Sequence, residues 1–184
     1  METNKIRAVY TDDFIRVYQA YSDNIADEAL KLGTFGSQFK RDRMTWIKPS
    51  FLWMMYRCGW AEKEGQERVL AIDIKREAFD YLVDNAVLSK YNQEIYNSYE
   101  EWRKLMQGSD IRCQWDPERD IYGNPMKYRS IQIGIKGEML RKYVNNWIVK
   151  ISDITDFVKK VKRMRDMGEN IDVILPQEKF YKNS

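Results

Sequence analysis

Residues Phe14–Tyr21 mix apolar and polar side chains with the β-branched and aromatic content of a strand. Period-two alternation sets Arg16, Tyr18 and Ala20 on one face and Val17, Gln19 and Tyr21 on the other. Behind them Ile25, Ala26, Ala29, Leu30 and Leu32 recur at helical spacing, with Ser22 as an N-cap and Gly33 as the closing residue. Arg43–Lys48 predicts a short strand. Pro49 cannot donate a backbone hydrogen bond and suits a first helical turn, so Ser50–Gly59 reads as a helix. The apolar run in Arg68–Ile74 predicts a buried strand, followed by a helix over 76–88. Residues 91–106 read as a surface excursion, helical in places. Ile111–Trp115 alternates like a strand, Asp116–Asp120 and Tyr122–Pro125 read as turns, and Tyr128–Ile135 reads as the returning strand. A helix over 138–147 follows, then a strand or continued helix over 147–152. A basic helix capped by Asp153 or Thr155 runs to about Met167, and 175–184 reads as an extended surface segment or a frayed end.

Strands and helices follow one another without regular βαβ alternation, and no repeat, linker or low-complexity tract interrupts them. The expectation is one α+β domain over 1–184, with a mixed, mostly antiparallel sheet, whole or split, and flanking helices. Hydrophobic residues at 43% and charged residues at 32% fit a folded globular chain. The net charge of +3 is too small to indicate nucleic acid by itself, so local clustering matters more. Met1–Arg7 lacks an apolar signal core and Phe51–Tyr56 is too short to span a bilayer. A cytoplasmic chain without a membrane partner is therefore expected.

The chain has no histidine. That removes Ser-His-Asp and Cys-His catalysis, histidine-ligated zinc and the usual neutral-pH base. Cys58 and Cys113 stand far apart, so two free thiols and no metal are expected. No phosphate-binding G-x-x-x-x-G-K-[ST] or dinucleotide-binding G-x-G-x-x-G pattern occurs.

The densest chemistry lies in Arg43–Trp60, where tryptophans, methionines, Tyr56 and Phe51 crowd around Arg43, Lys48, Ser50 and Arg57. Aromatic faces beside guanidinium and ammonium groups suit a ligand with a flat ring and a phosphate. Ser50, at the start of a helix, either holds a phosphate or caps its own helix. Gln19, a polar residue among apolar strand positions, needs partners if buried, and a ligand is one of them. Asp116 and Glu118, on the expected turn, are candidate carboxylates held ionised by Arg119, with Arg129 and Gln132 on the next strand. Lys159, Lys160, Lys162, Arg163 and Arg165 form a basic run suited either to RNA or DNA phosphates or to a solvated helix end.

Five blocks carry a family resemblance: Ile15–Tyr21, Arg43–Arg57, Gln66–Asp73, Gln114–Arg119 and Arg129–Gly134. Together they resemble the family called domain of unknown function 4291, which implies a single domain and carries no activity with it. The layout also resembles ADP-ribosyltransferase-like domains. These run through a strand with a polar residue, a helix ending at Gly, a short strand with an aromatic or Ser, a helix and a long buried strand. A late strand then brings the last polar member. Gln19 stands where that layout places His or Arg, and the late strand Arg129–Ile135 has no Glu. The basic character is more similar to the RNA 2′-phosphotransferase branch.

The expectation drawn from this layout is an ADP-ribosyltransferase-like transferase that uses NAD or a related nucleotide on a nucleic-acid or small-molecule acceptor. Gln19, Asp116 and Glu118 would be catalytic, Gln19 holding the base or nicotinamide beside Trp46 and Glu118 or Asp116 standing near the positive charge that develops as nicotinamide leaves. Tyr18, Arg43, Trp46, Lys48, Ser50, Arg57, Arg129 and Gln132 would hold the nucleotide. The alternatives are an RNA or single-stranded DNA module stacking bases on Trp46, Trp53 and Trp60, or a protein-interaction domain.

Overall fold

The computed structural model describes residues 4–181, folded as an α+β domain with mostly antiparallel sheets. Strands β2 (Phe14–Tyr21), β4 (Arg68–Lys75) and β8 (Ile148–Asp153) form one antiparallel sheet in the order β2-β4-β8. Strands β3 (Thr45–Ile47), β7 (Pro125–Ile135), β6 (Ile111–Arg119) and β5 (Val87–Leu88) form the second, in the order β3-β7-β6-β5. A short ribbon pairs β1 (Arg7–Ala8) with β9 (Lys179–Phe180). The two main sheets touch where the Tyr18 amide donates to the Lys48 carbonyl at 2.8 Å, so the structure is a split sheet with a seam between β2 and β3.

Alternation explains the layers. Ile15 and Val17 of β2, Leu70, Ile72 and Ile74 of β4, and Ile131, Ile133 and Ile135 of β7 share one core between the sheets. Tyr18, Val69 and Ala71 face the other way, into a second core under α2 (Phe51–Cys58) and α6 (Thr155–Asp166). Because β4 is buried on both faces, its sequence is apolar without a polar stripe. Its exception, Asp73, is held in a bidentate pair by Arg16 across the strands, at 2.7 and 2.9 Å.

Helix α1 (Asp23–Leu32) ends at Gly33 with φ +71°, as its sequence predicts. At the end of α2, Gly59, Trp60 and Ala61 are all left-handed, with φ 59°, 57° and 67°. For the last two this costs roughly 1–2 kcal/mol each. The turn seats the Trp60 ring against Phe51, with the Arg165 guanidinium 4.8 Å over it.

Several boundaries differ from the sequence reading. The helix expected over 76–88 stops as α3 (Arg76–Asp84), and Val87–Leu88 becomes β5, parallel to β6. The excursion over 91–106 contains α4 (Tyr99–Gly108), capped by Ser98. The turn expected at 116–120 is strand. Pro117 is tolerated because β5 pairs only with Arg112 and Cys113, leaving that edge of β6 open further along. The helix over 138–147 is α5 (Gly137–Lys142) continued by a π-helical turn, Tyr143–Trp147. The final segment is docked through 181: Phe180 pairs with Arg7, and the buried Tyr181 donates to Asp80 at 2.6 Å. Residues 182–184 of the expected tail lie outside the described residues.

Candidate functional site

The seam between β2 and β3 opens into a cleft of about 350 Å³. Gln19 and Tyr21 reach it from β2, Thr45 and Trp46 from β3, Lys48 from the β3–α2 junction, and Arg57 from the last turn of α2. Lys40 and Arg43 complete its rim from the preceding loop, a segment whose lysine carried no distinguishing pattern in the sequence. Glu64 is the one carboxylate among the lining residues. Among the described residues, none of Lys40, Arg43, Lys48 and Arg57 has an ion-pair partner. The cleft is therefore electropositive.

Trp46 is placed by a glycine. In the β3–β7 register it lies opposite Gly134, and a Cβ there would stand 2.9 Å from the indole and 2.5 Å from Met44 Sδ. Only a residue without a side chain lets the ring lie down across β7.

Lys48 is buried, with 7% exposure, yet lines the cleft. Its Nζ donates to the Trp46 carbonyl at 3.1 Å and lies 5.6 Å from the centre of the Trp53 ring. Burial, and then the like charge of Arg57, bring the amine down to about 7, against weaker opposition from Cys58 and Asp116. The Trp53 indole N–H is buried without an acceptor among the described residues.

Gln19 lines the cleft, but its amide is engaged. Nε2 donates to Tyr21 Oη at 2.8 Å, Thr45 Oγ1 at 3.1 Å and the Trp46 carbonyl at 3.3 Å, while Oε1 accepts from Tyr143 Oη at 2.7 Å. Its polar groups brace the cleft wall. Burial pushes Tyr21 up to about 12 and Tyr143 well above the usual phenol range, so both stay protonated.

The remaining candidates are distributed differently from expectation. Asp116 and Gln132 lie on the face of the second sheet that also carries Trp46 and Gln114. Asp116 accepts from Gln132 Nε2 at 2.7 Å and Gln114 Nε2 at 3.0 Å, and is not paired with Arg119. Arg119 instead lies 3.9 Å from the centre of the Tyr56 ring and donates to the Gly123 carbonyl. Glu118 is buried on β6, accepting from Ser50 Oγ and its neighbour's amide at 2.9 Å each. Burial raises this carboxyl, and the Arg119 guanidinium, its expected partner, goes to Tyr56 and Gly123 instead. Ser50 donates to Glu118 and accepts from the Trp53 amide at 3.1 Å, so it caps its helix. The adjacent Phe51 amide is taken by Glu178 Oε1 at 2.6 Å. No residue pattern pointed to Glu178, which lies remote in sequence.

Tyr18 faces the second core, packs edge-on against Phe51 and does not line the cleft. Arg129, opposite Pro117, lies on the other sheet face from Asp116 and donates to the Trp115 carbonyl; Arg129 and Asp116, with Gln114, border a separate cleft of about 720 Å³. Trp53 and Trp60 are buried and offer no open faces for bases, which leaves Trp46. On α6, Lys159, Lys160 and Arg163 are exposed, whereas Lys162 pairs with Glu62 at 2.8 Å and Asp166 at 3.6 Å. Cys58 and Cys113 are free and buried, and among the described residues no group of side chains is arranged to hold a metal. No helix there is long and apolar enough to cross a membrane.

Residues 5–181 match the family described as domain of unknown function DUF4291, and the chain belongs to that family. No curated protein matches the chain significantly.

Proposed function

We propose that this member of the DUF4291 family is an ADP-ribosyltransferase-like enzyme that binds NAD or a related nucleotide in the seam cleft. The observation that carries the reading is the set of exposed cations without ion-pair partners among the described residues, Lys40, Arg43 and Arg57, beside the flat Trp46 ring. Unpaired cations in a concave site favour an anionic ligand, and an indole laid along the wall favours a planar one. A dinucleotide offers both.

The layout supports the same reading. A polar strand residue, Gln19, is followed by a helix ending at Gly33, a short strand with Trp46, a helix and the long buried β4. The late strand β7 then brings Gln132 to the sheet face that carries Trp46. NAD supplies the ADP-ribosyl group, with nicotinamide as the leaving group. Arg43 and Arg57 hold the pyrophosphate by charge-assisted hydrogen bonds. Gln19 fixes Thr45, Tyr21 and the Trp46 carbonyl, so the wall does not reorganise as charge develops. Asp116, oriented by Gln114 and Gln132, lines the neighbouring cleft and acts on the seam only at longer range, through its charge at Lys48.

Titration calorimetry with NAD and with ATP tests the reading. Heat with NAD, reduced tenfold or more in affinity by Arg43→Gln with Arg57→Gln, is expected. Absence of heat with either nucleotide, in protein shown to be folded, overturns it.

A second reading rests on the exposed Lys159, Lys160 and Arg163 of α6: a nucleic-acid surface, either for the acceptor or as the whole function. It predicts RNA binding that weakens steeply with salt and is indifferent to Arg57.

A further inference from the structure

Lys48 is built unlike the other cations of the cleft. Lys40, Arg43 and Arg57 are exposed, as expected of groups that meet an anion from the rim. Lys48 is enclosed, its Nζ satisfied by one donated hydrogen bond to the Trp46 carbonyl and bordered by the Trp53 ring. Once deprotonated, an amine that donates one N–H and has no carboxylate partner has its lone pair free to react. Arg57 and Cys58 act on it from α2 and Asp116 from β6. Arg43, Lys40 and Glu64 stand along the cleft rim.

We propose that Lys48 is a nucleophilic amine that condenses with the aldehyde carbon of a phosphorylated aldose, whose phosphate is held by Arg57 and Arg43. The Nζ lone pair attacks the carbonyl carbon, and the carbonyl π electrons move to oxygen. That oxygen takes up the two amine protons and leaves as water, giving a C=N bond to Nζ. Nothing outside the sugar and the lysine is consumed. Burial and the like charge of Arg57 bring the amine down to about 7, so about half of it is free of its proton near neutrality, which favours nucleophilic lysine. The inference rests on the proposed function for the type of sugar, since ADP-ribose carries a ribose that opens to an aldehyde. The reactivity of Lys48 itself does not.

The test uses the full chain with ribose 5-phosphate, with ribose, and with ADP-ribose, each in the presence of cyanoborohydride, followed by mass mapping of the reduced adduct. The expected result is one adduct per chain on Lys48, formed at least tenfold faster than on any other lysine. It should be half-maximal near pH 7, where exposed lysines with ordinary values near 10.4 remain protonated. Ribose without phosphate should react several-fold more slowly. Urea-unfolded protein should lose the preference, and Arg57→Gln, which removes both the like charge and the phosphate partner, should slow labelling at pH 7. Labelling spread evenly over exposed lysines, or a folded protein in which Lys48 stays unmodified by all three sugars, overturns the proposal. Lys48 labelling without calorimetric NAD binding removes the nucleotide reading and leaves the reactive lysine. NAD binding with an inert Lys48 does the reverse.

Discussion

The Tyr143 hydroxyl donates to Gln19 Oε1 at 2.7 Å, tying the π-helical turn after α5 to the cleft-bearing strand β2. Both residues are buried, and Gln19 passes the constraint on to Tyr21, Thr45 and the Trp46 carbonyl. The cleft wall is therefore braced from the far side of the core.

Tyr143→Phe leaves a buried amide oxygen without its donor. The expected loss of stability is about 1–3 kcal/mol by denaturant unfolding. Calorimetry should show nucleotide affinity falling several-fold, because the Gln19 amide is then free to turn. A variant with wild-type stability and affinity would show that the hydrogen bond braces nothing.

Gly134→Ala puts a methyl group where the Trp46 indole lies. The ring must lift, so nucleotide affinity should fall by about tenfold, equivalent to ~1.4 kcal/mol. The tryptophan emission should shift while the far-ultraviolet circular dichroism stays unchanged. Unaltered emission and affinity would detach the ring from the site.

Replacing Lys159, Lys160 and Arg163 with Gln removes exposed charges away from any buried contact. Stability should change by less than roughly 0.5 kcal/mol, and NAD titration should be unaffected. RNA binding, measured by fluorescence anisotropy at two salt concentrations, should be lost. Arg57→Gln should give the converse pattern: weaker NAD binding and unchanged RNA binding.

Glu178 gives a pH dependence. Burial, against the opposing Phe51 amide, raises its carboxyl from 4.5 to about 8, with Glu118 adding to the rise. A carboxyl raised in the folded protein stabilises it below the unfolded value, and that contribution is lost as pH rises through the folded value. Stability should therefore decline by roughly 2–4 kcal/mol across this window. Glu178→Gln still accepts from the Phe51 amide through its amide oxygen and should flatten the decline. Its Tm should exceed that of wild type at pH 8.5 and differ little at pH 4.5. Parallel pH profiles for the two proteins would refute the assignment.

Local patterns that depend only on neighbouring residues were legible. The β2 alternation, the Gly33 stop, the Pro49-Ser50 start of α2 and the two-sided burial of β4 needed no knowledge of remote partners. The aromatic and cationic composition of Arg43–Arg57 likewise marked a segment that lines the cleft. Asp116–Arg119 failed as a turn because a proline is compatible with strand once the neighbouring strand has ended, a fact set by how far β5 extends. Gln19 could be recognised as a buried polar group in need of partners, but not that Tyr143, remote in sequence, would be one of them.

Short-range periodicity, caps and composition thus decided which segments are helix or strand and which stretch is rich in ligand-type chemistry, because those properties arise within a few residues. The sheet split, the side of β7 on which Arg129 and Gln132 emerge, and the occupation of the α2 N-terminus by Glu178 were decided by pairing over long separations. Burial, which keeps Lys48 near neutrality and Glu118 raised, depends on what packs over a side chain, and that exists only once the chain has closed on itself.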